Sequence, residues 1–160
     1  YNGKVKRPAV VAKNDKKEII PLSDYTVKYA SGRKNVGKYS VTVTFKNDYK
    51  GKYTKTFTII PKGTQVKSLK AAKKSFSATW KKQSKQTSGY QLQYSTNKKF
   101  AKAVKTSTIS KNTTVKKTVK KLSAKKTYYV RVRTYKTVKV GKKSVKIYSG
   151  WSAAKKVKTK

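Results

Sequence analysis

The sequence predicts an all-β protein built from two small β-sandwich domains. Val, Thr, Ile and Tyr, which favour strands, make up 54 of the 160 residues, whereas Glu occurs once and Leu four times. Apolar and polar residues alternate with a period of two in several short segments, and turn-forming residues separate those segments. Short strands spaced in this way are typical of a sandwich rather than of a helical or βαβ fold.

Five segments carry this alternation, and each places its aromatic and aliphatic residues on one face of a strand. Turn signals such as Asn47-Asp48 and Ser88-Gly89 fall between the segments. We expect Trp80 and Tyr128 to lie in a core rather than at a ligand site. The apolar positions are Tyr25, Val27 and Tyr29; Tyr39, Val41, Val43 and Phe45; Phe76, Ala78 and Trp80; Tyr90, Leu92 and Tyr94; and Tyr128, Val130 and Val132.

A domain boundary is predicted near Pro61-Lys62-Gly63-Thr64, because one strand ends before this turn-rich stretch and another begins after it. The first domain is expected to span residues 1–61, a short linker residues 62–64, and the second domain residues 65–160. The charge balance changes at the same point. The first domain has a net charge of +10, whereas residues 62–160 have a net charge of +30 with no acidic residue at all.

The composition excludes most enzyme chemistry. The chain has no His and no Cys, which removes the common metal ligands, the thiol nucleophile and the usual general base. The four carboxylates, of Asp15, Glu18, Asp24 and Asp48, lie in or beside predicted turns. We therefore expect a monomeric, non-enzymatic binding or structural module with no catalytic residue, no cofactor, no metal and no membrane span.

Positive charge is the strongest functional signal. The chain has 44 Lys and Arg against four Asp and Glu, a formal net charge of +40, and 40 of the basic residues are Lys. Lysine is a mobile point charge, which suits diffuse attraction to a polyanion better than base-specific recognition. The expected partner is an anionic polymer: teichoic acid, an acidic glycan or nucleic acid bound without sequence preference. The candidate contacts are Lys116, Lys117, Lys120, Lys121, Lys125, Lys126, Lys142 and Lys143.

A second candidate site lies on the strand that begins at Tyr128. Its outward positions carry Tyr129, Arg131, Arg133 and Tyr135. Two arginines alternating with two tyrosines can stack on a base or a sugar, or hold a phosphate. Cation–π packing between neighbours on a solvated sheet face explains the same pattern, and both interpretations stay open.

Four motifs characterise the second domain. Phe76-Ser-Ala-Thr-Trp80 and Gly89-Tyr90-Gln-Leu-Gln-Tyr94 match a second strand with its core Trp and a third strand, and Leu122 and Tyr128 have the spacing of a tyrosine corner. Gly150-Trp151-Ser152 is similar to the segment before a last strand. With these motifs residues 65–160 resemble a fibronectin type III domain. The resemblance implies a seven-stranded sandwich that buries Trp80, Leu92, Leu122, Tyr128 and Val130.

The first domain contains Tyr1-Asn-Gly-Lys4, Asp24-Tyr-Thr-Val-Lys-Tyr29, Val36-Gly-Lys-Tyr-Ser-Val-Thr-Val-Thr44 and Tyr49-Lys-Gly-Lys-Tyr-Thr-Lys-Thr-Phe57. Through these motifs it resembles a bacterial immunoglobulin-like surface repeat, with the opening strand missing or supplied by another segment. The two resemblances imply tandem immunoglobulin-like sandwiches in a longer secreted or cell-wall protein of Gram-positive bacteria, acting as a spacer and adhesive module. Two alternatives stay open: accessory domains of a carbohydrate-active enzyme, or a nonspecific nucleic-acid-binding protein.

Overall fold

Eleven strands and one short 3-10 helix make up the regular structure, so the prediction of an all-β chain is confirmed. The computed structural model describes residues 1–160, which divide into two units, Tyr1–Ile59 and Ile60–Lys160. No helix is long and apolar enough to cross a membrane. The first unit holds the 3-10 helix Leu22–Asp24 and strands β1 (Tyr25–Tyr29), β2 (Gly37–Phe45) and β3 (Lys52–Ile59). The second holds β4 (Val66–Ala72), β5 (Ser75–Trp80), β6 (Gly89–Ser95), β7 (Lys105–Ile109), β8 (Lys116–Val119), β9 (Thr127–Val140), β10 (Lys143–Tyr148) and β11 (Lys155–Lys158).

The first unit contains one antiparallel sheet in the order β1-β2-β3. On one face of this sheet Ala12 and Ile20, from the segment before β1, are buried together with Tyr25 and Val43. The β3 side of the same face is open, and Tyr53 is 68% exposed. Where a sandwich would have a second sheet, this unit has the segment before β1, which contains one isolated bridge between its own residues Lys13 and Ile19, so its second layer is incomplete.

The second unit contains two antiparallel sheets, β4-β5-β8 and β10-β9-β6-β7, and β11 also pairs with β9. Strand β10 pairs with the second half of β9 and β11 with the first half. Between them the N–H groups of Ser149 and Ser152 donate to the carbonyls of Thr134 and Val132, so the ladder continues along one edge. The eight strands therefore form a seven-stranded sandwich whose last strand is interrupted.

The core of the second unit lies between its two sheets. Phe76, Leu92 and Val130 are fully buried, while Trp80 is 2% and Tyr128 8% exposed. Burial of Trp80, Leu92, Tyr128 and Val130 confirms those predictions. Leu122 differs: it is only partly buried, because it lies in the loop between β8 and β9 and packs against the core from outside the strands.

Residues 62–64, expected to be a linker, and the preceding Pro61 pack on the second unit. Pro61 is fully buried, and the carbonyl of Lys62 accepts a hydrogen bond of 2.8 Å from Thr134 Oγ1. Thr64 Oγ1 donates to the carbonyl of Lys81. These bonds hold the chain in place just before β4 begins.

Candidate binding surface

The outer face of the sheet β10-β9-β6-β7 carries two arginines on neighbouring outward positions of β9. Val132, between Arg131 and Arg133, is fully buried, so strand alternation directs both arginine side chains away from the core. Both arginines are partly exposed. Strand β6 runs antiparallel beside β9 and places Gln93 opposite Arg131 and Gln91 opposite Arg133.

Two parallel hydrogen-bonded rungs cross three strands at this point. In one, Arg131 Nε donates to Gln93 Oε1 at 2.7 Å, and Gln93 Nε2 donates to Thr106 Oγ1 at 3.0 Å. Because a guanidinium can only donate, each glutamine must turn its oxygen to the arginine and its NH₂ group to the threonine. The second rung runs from Arg133 Nε and Nη2 to Gln91 Oε1, and from Gln91 Nε2 to Thr108 Oγ1.

Aromatic rings contact both guanidinium groups. The guanidinium carbon of Arg131 lies 3.9 Å from the ring centroid of Phe100 and 4.8 Å from that of Trp151. That of Arg133 lies 4.2 Å from the Trp151 ring and 3.9 Å from the Tyr148 ring. We call these five side chains the arginine ladder. Cation–π attraction favours this packing, and with the glutamine bonds it holds both arginines in one orientation.

Phe100 contacts Arg131 from the loop between β6 and β7, and its backbone adopts an unfavourable conformation. Its φ is +55°, in the left-handed region that bulky side chains rarely adopt. Asn97 supports the loop, because its Oδ1 accepts from the N–H groups of Lys99 and Ala101 and its carbonyl accepts from the N–H of Phe100. These bonds and the ring contact with Arg131 offset the strain.

Tyr135 differs from the other members of the predicted stripe in its burial. The other three are partly exposed, whereas Tyr135 is 3% exposed, so its ring is covered by its neighbours rather than open to solvent. Gly89 stands opposite it on β6, and the Tyr135 ring occupies the space that a side chain there would need. The ring also packs against Tyr148, with 5.9 Å between centroids.

No side-chain carboxylate neutralises the arginine ladder. Residues 49–160 contain no Asp or Glu, so both guanidiniums have only neutral partners. Burial lowers the pKa of Arg131. Burial also lowers the pKa of Arg133, and the positive charge of Arg131 lowers this pKa further. The nearby Tyr148 phenol acts in the opposite direction and raises this pKa. Two neighbouring cations without a counter-ion form a site that favours an anion.

The eight lysines proposed as polyanion contacts are all exposed, but they do not form one surface. Six of them lie on β8 or in the loop between β8 and β9, and the other two, Lys142 and Lys143, lie at the turn between β9 and β10. Strand β9 separates the groups by 14 residues, roughly 45 Å of extended chain. Every other lysine of the second unit except Lys136 is also exposed, so positive charge covers its whole surface.

The carboxylates serve turns of the first unit. Glu18 and Asn14 exchange two hydrogen bonds, of 2.9 and 2.7 Å, across a tight turn. Asp24 Oδ1 accepts from Asn47 Nδ2 at 2.8 Å, while Asp15 and Asp48 are exposed. No cluster of three potential metal ligands is present.

Sequence reasoning missed five side chains of this surface, those of Gln91, Gln93, Phe100, Tyr148 and Trp151. Gln91 and Gln93 alternate with core residues of β6, so their common face was readable, but their pairing with the arginines was not. Trp151 was noted only within a motif that precedes the last strand. Phe100 gave no signal, because it lies in an irregular loop with no periodicity.

Two antiparallel sheets packed around a core of Trp80, Tyr90 and Tyr128 define the second unit as an immunoglobulin-like β-sandwich. The chain belongs to the fibronectin type III family, because the family model "Fibronectin type III domain" matches residues 60–149. Domains of this family are typically non-enzymatic modules, occur in extracellular proteins and are often part of longer multidomain chains. Comparison with curated proteins finds no match.

The fold is also found in a solved structure. The FN1–FN3 domains of chicken CNTN1 are 21% identical with a TM-score of 0.50, and the match covers 78% of this chain and 43% of that one. Domains A168–A170 from titin are 18% identical with a TM-score of 0.43, and the match covers 94% of this chain and 54% of that one. The chain thus spans about half the length of these proteins.

Proposed function

We propose that the chain is a non-enzymatic spacer and adhesive module that binds anionic polymers through long-range electrostatic attraction. The observation that carries the proposal is the surface of the second unit. It exposes every lysine except Lys136 and contains no side-chain carboxylate that would neutralise them. The first unit, with net charge +10, adds to the same attraction.

The proposed mechanism is release of counterions condensed on the polymer. Each lysine that neutralises a polymer charge frees a counterion, so affinity falls steeply with salt. Lysine side chains are flexible and well hydrated, and their positions follow no single groove, so binding tolerates differences in polymer sequence or sugar identity. At physiological salt the Debye length is about 8 Å, so only lysines close to the polymer contribute.

The proposal extends to the setting of the module. Taking residues 1–61 as a bacterial immunoglobulin-like repeat, residues 62–64 as a linker and residues 65–160 as the fibronectin type III domain, we place the chain in a secreted or cell-wall protein of Gram-positive bacteria. The motifs of the first domain and the non-enzymatic, extracellular character of the second domain's family support this placement. Wall teichoic acid, acidic glycans and extracellular DNA are the partners that such a setting offers.

A salt titration of the intact protein tests the function. Binding to teichoic acid, heparin and duplex DNA is measured between low and physiological salt, and log Kd is plotted against log salt. We expect a slope of about three to ten, similar for all three polymers, because only nearby lysines are counted. A tight, salt-independent preference for one neutral glycan would contradict the proposal.

A matched pair of variants locates the contacts. One variant changes Lys116, Lys117, Lys120, Lys121, Lys125 and Lys126 to Gln, and the control changes Lys4, Lys16, Lys28, Lys34, Lys38 and Lys46 of the first unit. Each removes six positive charges from exposed positions. The first variant is expected to lower the salt slope more than the control, because its six lysines all lie between residues 116 and 126 of a unit that has no negative side chain. Equal loss in both variants would contradict the assignment of these contacts.

A further inference from the structure

The two arginines of the ladder keep hydrogen-bond donors that no protein group uses. Arg131 donates only from Nε, which leaves both Nη atoms free, and Arg133 leaves Nη1 free. The buried side-chain nitrogens without a partner are only Arg33 Nε and Trp80 Nε1, so the free Nη atoms of the ladder are accessible to solvent. Both guanidiniums therefore present open N–H donors to water.

These donors are held in place before any ligand arrives. Rings of Phe100, Trp151 and Tyr148 pack on the guanidiniums, and the glutamine oxygens hold the Nε ends. A free lysine must lose much of its side-chain freedom when it binds an anion, whereas these arginines have already lost theirs on folding. The site is preorganised, unlike the lysines around it.

The ring contacts also decide which ligand chemistry fits. Each guanidinium has two aromatic neighbours, so the protein's own rings already take up space in which a nucleobase or sugar would stack. The unused Nη–H donors lie on the edges of the two guanidinium planes. Planar guanidinium edges match the paired oxygens of phosphate and sulfate groups.

We propose that Arg131 and Arg133 form a binding site for a tetrahedral oxyanion, a phosphate or sulfate ester group carried on an anionic polymer. The proposal rests on the proposed function and adds to it a discrete contact within an otherwise diffuse attraction. The two arginines, two residues apart on one strand, have Cα atoms about 6.6 Å apart, close enough to share one such group or to hold adjacent ones. The surrounding lysines bring the polymer to the surface, and the ladder holds one of its groups.

The chain's four arginines make a direct test possible. Arg7 and Arg33 belong to the first unit, and Arg131 and Arg133 are the other two. In the ¹H–¹⁵N spectrum of the intact protein, the four Nε–Hε signals are assigned with single Arg→Lys variants. Inorganic polyphosphate and dextran sulfate are then added in parallel, with neutral dextran as the control. We expect the signals of Arg131 and Arg133 to shift in a saturable way with one or both anionic polymers, and those of Arg7 and Arg33 to stay unchanged.

A charge-neutral substitution separates the ladder from general attraction. The double variant R131K/R133K keeps the net charge but loses the planar donors, and R7K/R33K is the matched control. At high salt, where lysine contacts are screened, R131K/R133K is expected to weaken binding roughly tenfold or more, with little change in the control. If the double variant unfolds, the Arg131 and Arg133 Nε–Hε signals of the unmodified protein still show whether the two arginines bind the polymer.

The outcomes distinguish the two proposals. If salt-dependent binding persists but the Arg131 and Arg133 signals do not move at saturation, the oxyanion site is wrong and the electrostatic function stands. If neither anionic polymer binds in a salt-dependent way, the proposed function itself fails. A shift with polyphosphate alone identifies phosphate as the group, and a shift with dextran sulfate alone identifies sulfate.

Discussion

The phenol oxygen of Tyr128 accepts a hydrogen bond of 3.2 Å from the backbone N–H of Ser123. Tyr128 lies at the start of β9 in one sheet, and Ser123 lies in the loop that arrives from β8 in the other sheet. The bond thus fixes the point at which the chain crosses between sheets. It confirms the tyrosine corner that the spacing of Leu122 and Tyr128 predicted.

Replacing Tyr128 by Phe should destabilise the protein by about 1–3 kcal/mol, because the Ser123 N–H loses its partner in a partly buried place. The control is Tyr129→Phe, which changes the adjacent, partly exposed ring without removing a hydrogen bond and should stay within about 0.5 kcal/mol. Urea unfolding measures both. Equal free energies of unfolding for the two variants would show that the corner contributes nothing.

Trp80 is 2% exposed, its ring centroid lies 5.4 Å from that of Tyr90, and its indole N–H is buried without a hydrogen-bond partner. Trp80→Ala should cost roughly 3–5 kcal/mol, because it opens a cavity in the core. Trp80→Phe should cost less, since it keeps an aromatic ring and removes an unpaired donor. Thermal unfolding of the intact protein tests whether Trp80→Ala loses more stability than Trp80→Phe. An unchanged melting midpoint in Trp80→Ala would contradict the core position of this residue.

Gly89 leaves no room for a side chain. A Cβ atom there would stand 2.1 Å from the carbonyl oxygen of Ile109 and 2.9 Å from the Tyr135 hydroxyl, so Gly89→Ala must displace a neighbouring strand. We expect a loss of about 1–3 kcal/mol. Gly150→Ala is the control, because a Cβ atom at Gly150 meets nothing within 4 Å. A Gly89→Ala variant as stable as Gly150→Ala would show that the Tyr135 ring does not lie across this position.

Alkaline pH should weaken the second unit through Tyr90. Burial raises the pKa of this phenol, although a hydrogen bond with the Gln83 backbone acts in the opposite direction. The folded state therefore holds the phenol proton more tightly than the unfolded state. The contribution to stability is fully present below about pH 10, the usual tyrosine pKa, and is lost as the pH rises above it.

Comparison with Tyr90→Phe isolates this effect, because lysine deprotonation changes both proteins alike. Near pH 8 the variant should be less stable by about 1–3 kcal/mol, since the backbone partners at Gln83 and Asn112 lose the hydroxyl. The difference should shrink as the pH is raised from 9 to 11 in urea unfolding. A constant difference across that range would show that Tyr90 does not titrate differently on folding.

Strands and core of the second unit followed from local pattern. Trp80, Leu92 and Val130 alternate with polar neighbours, and side chains two apart on a strand share a face wherever that strand lies. The same reasoning placed Tyr128 in the core. The family resemblance, not alternation, predicted burial of Leu122, which lies in a loop and is only partly buried. In the first unit the alternation predicted the strands but not how incompletely their apolar face is covered.

The candidate site shows most clearly which features the sequence determines and which depend on the tertiary structure. Alternation along β9 was enough to set Arg131 and Arg133 on an outward face, and the composition alone showed that no carboxylate lies near them in sequence. Tertiary structure decided that the Tyr135 ring is buried in the space that Gly89 leaves open, and that Phe100 and Trp151 come from two distant segments to contact the guanidiniums. Cross-strand register and loop conformation bring such residues together, and neither is encoded in the spacing of residues along a single strand.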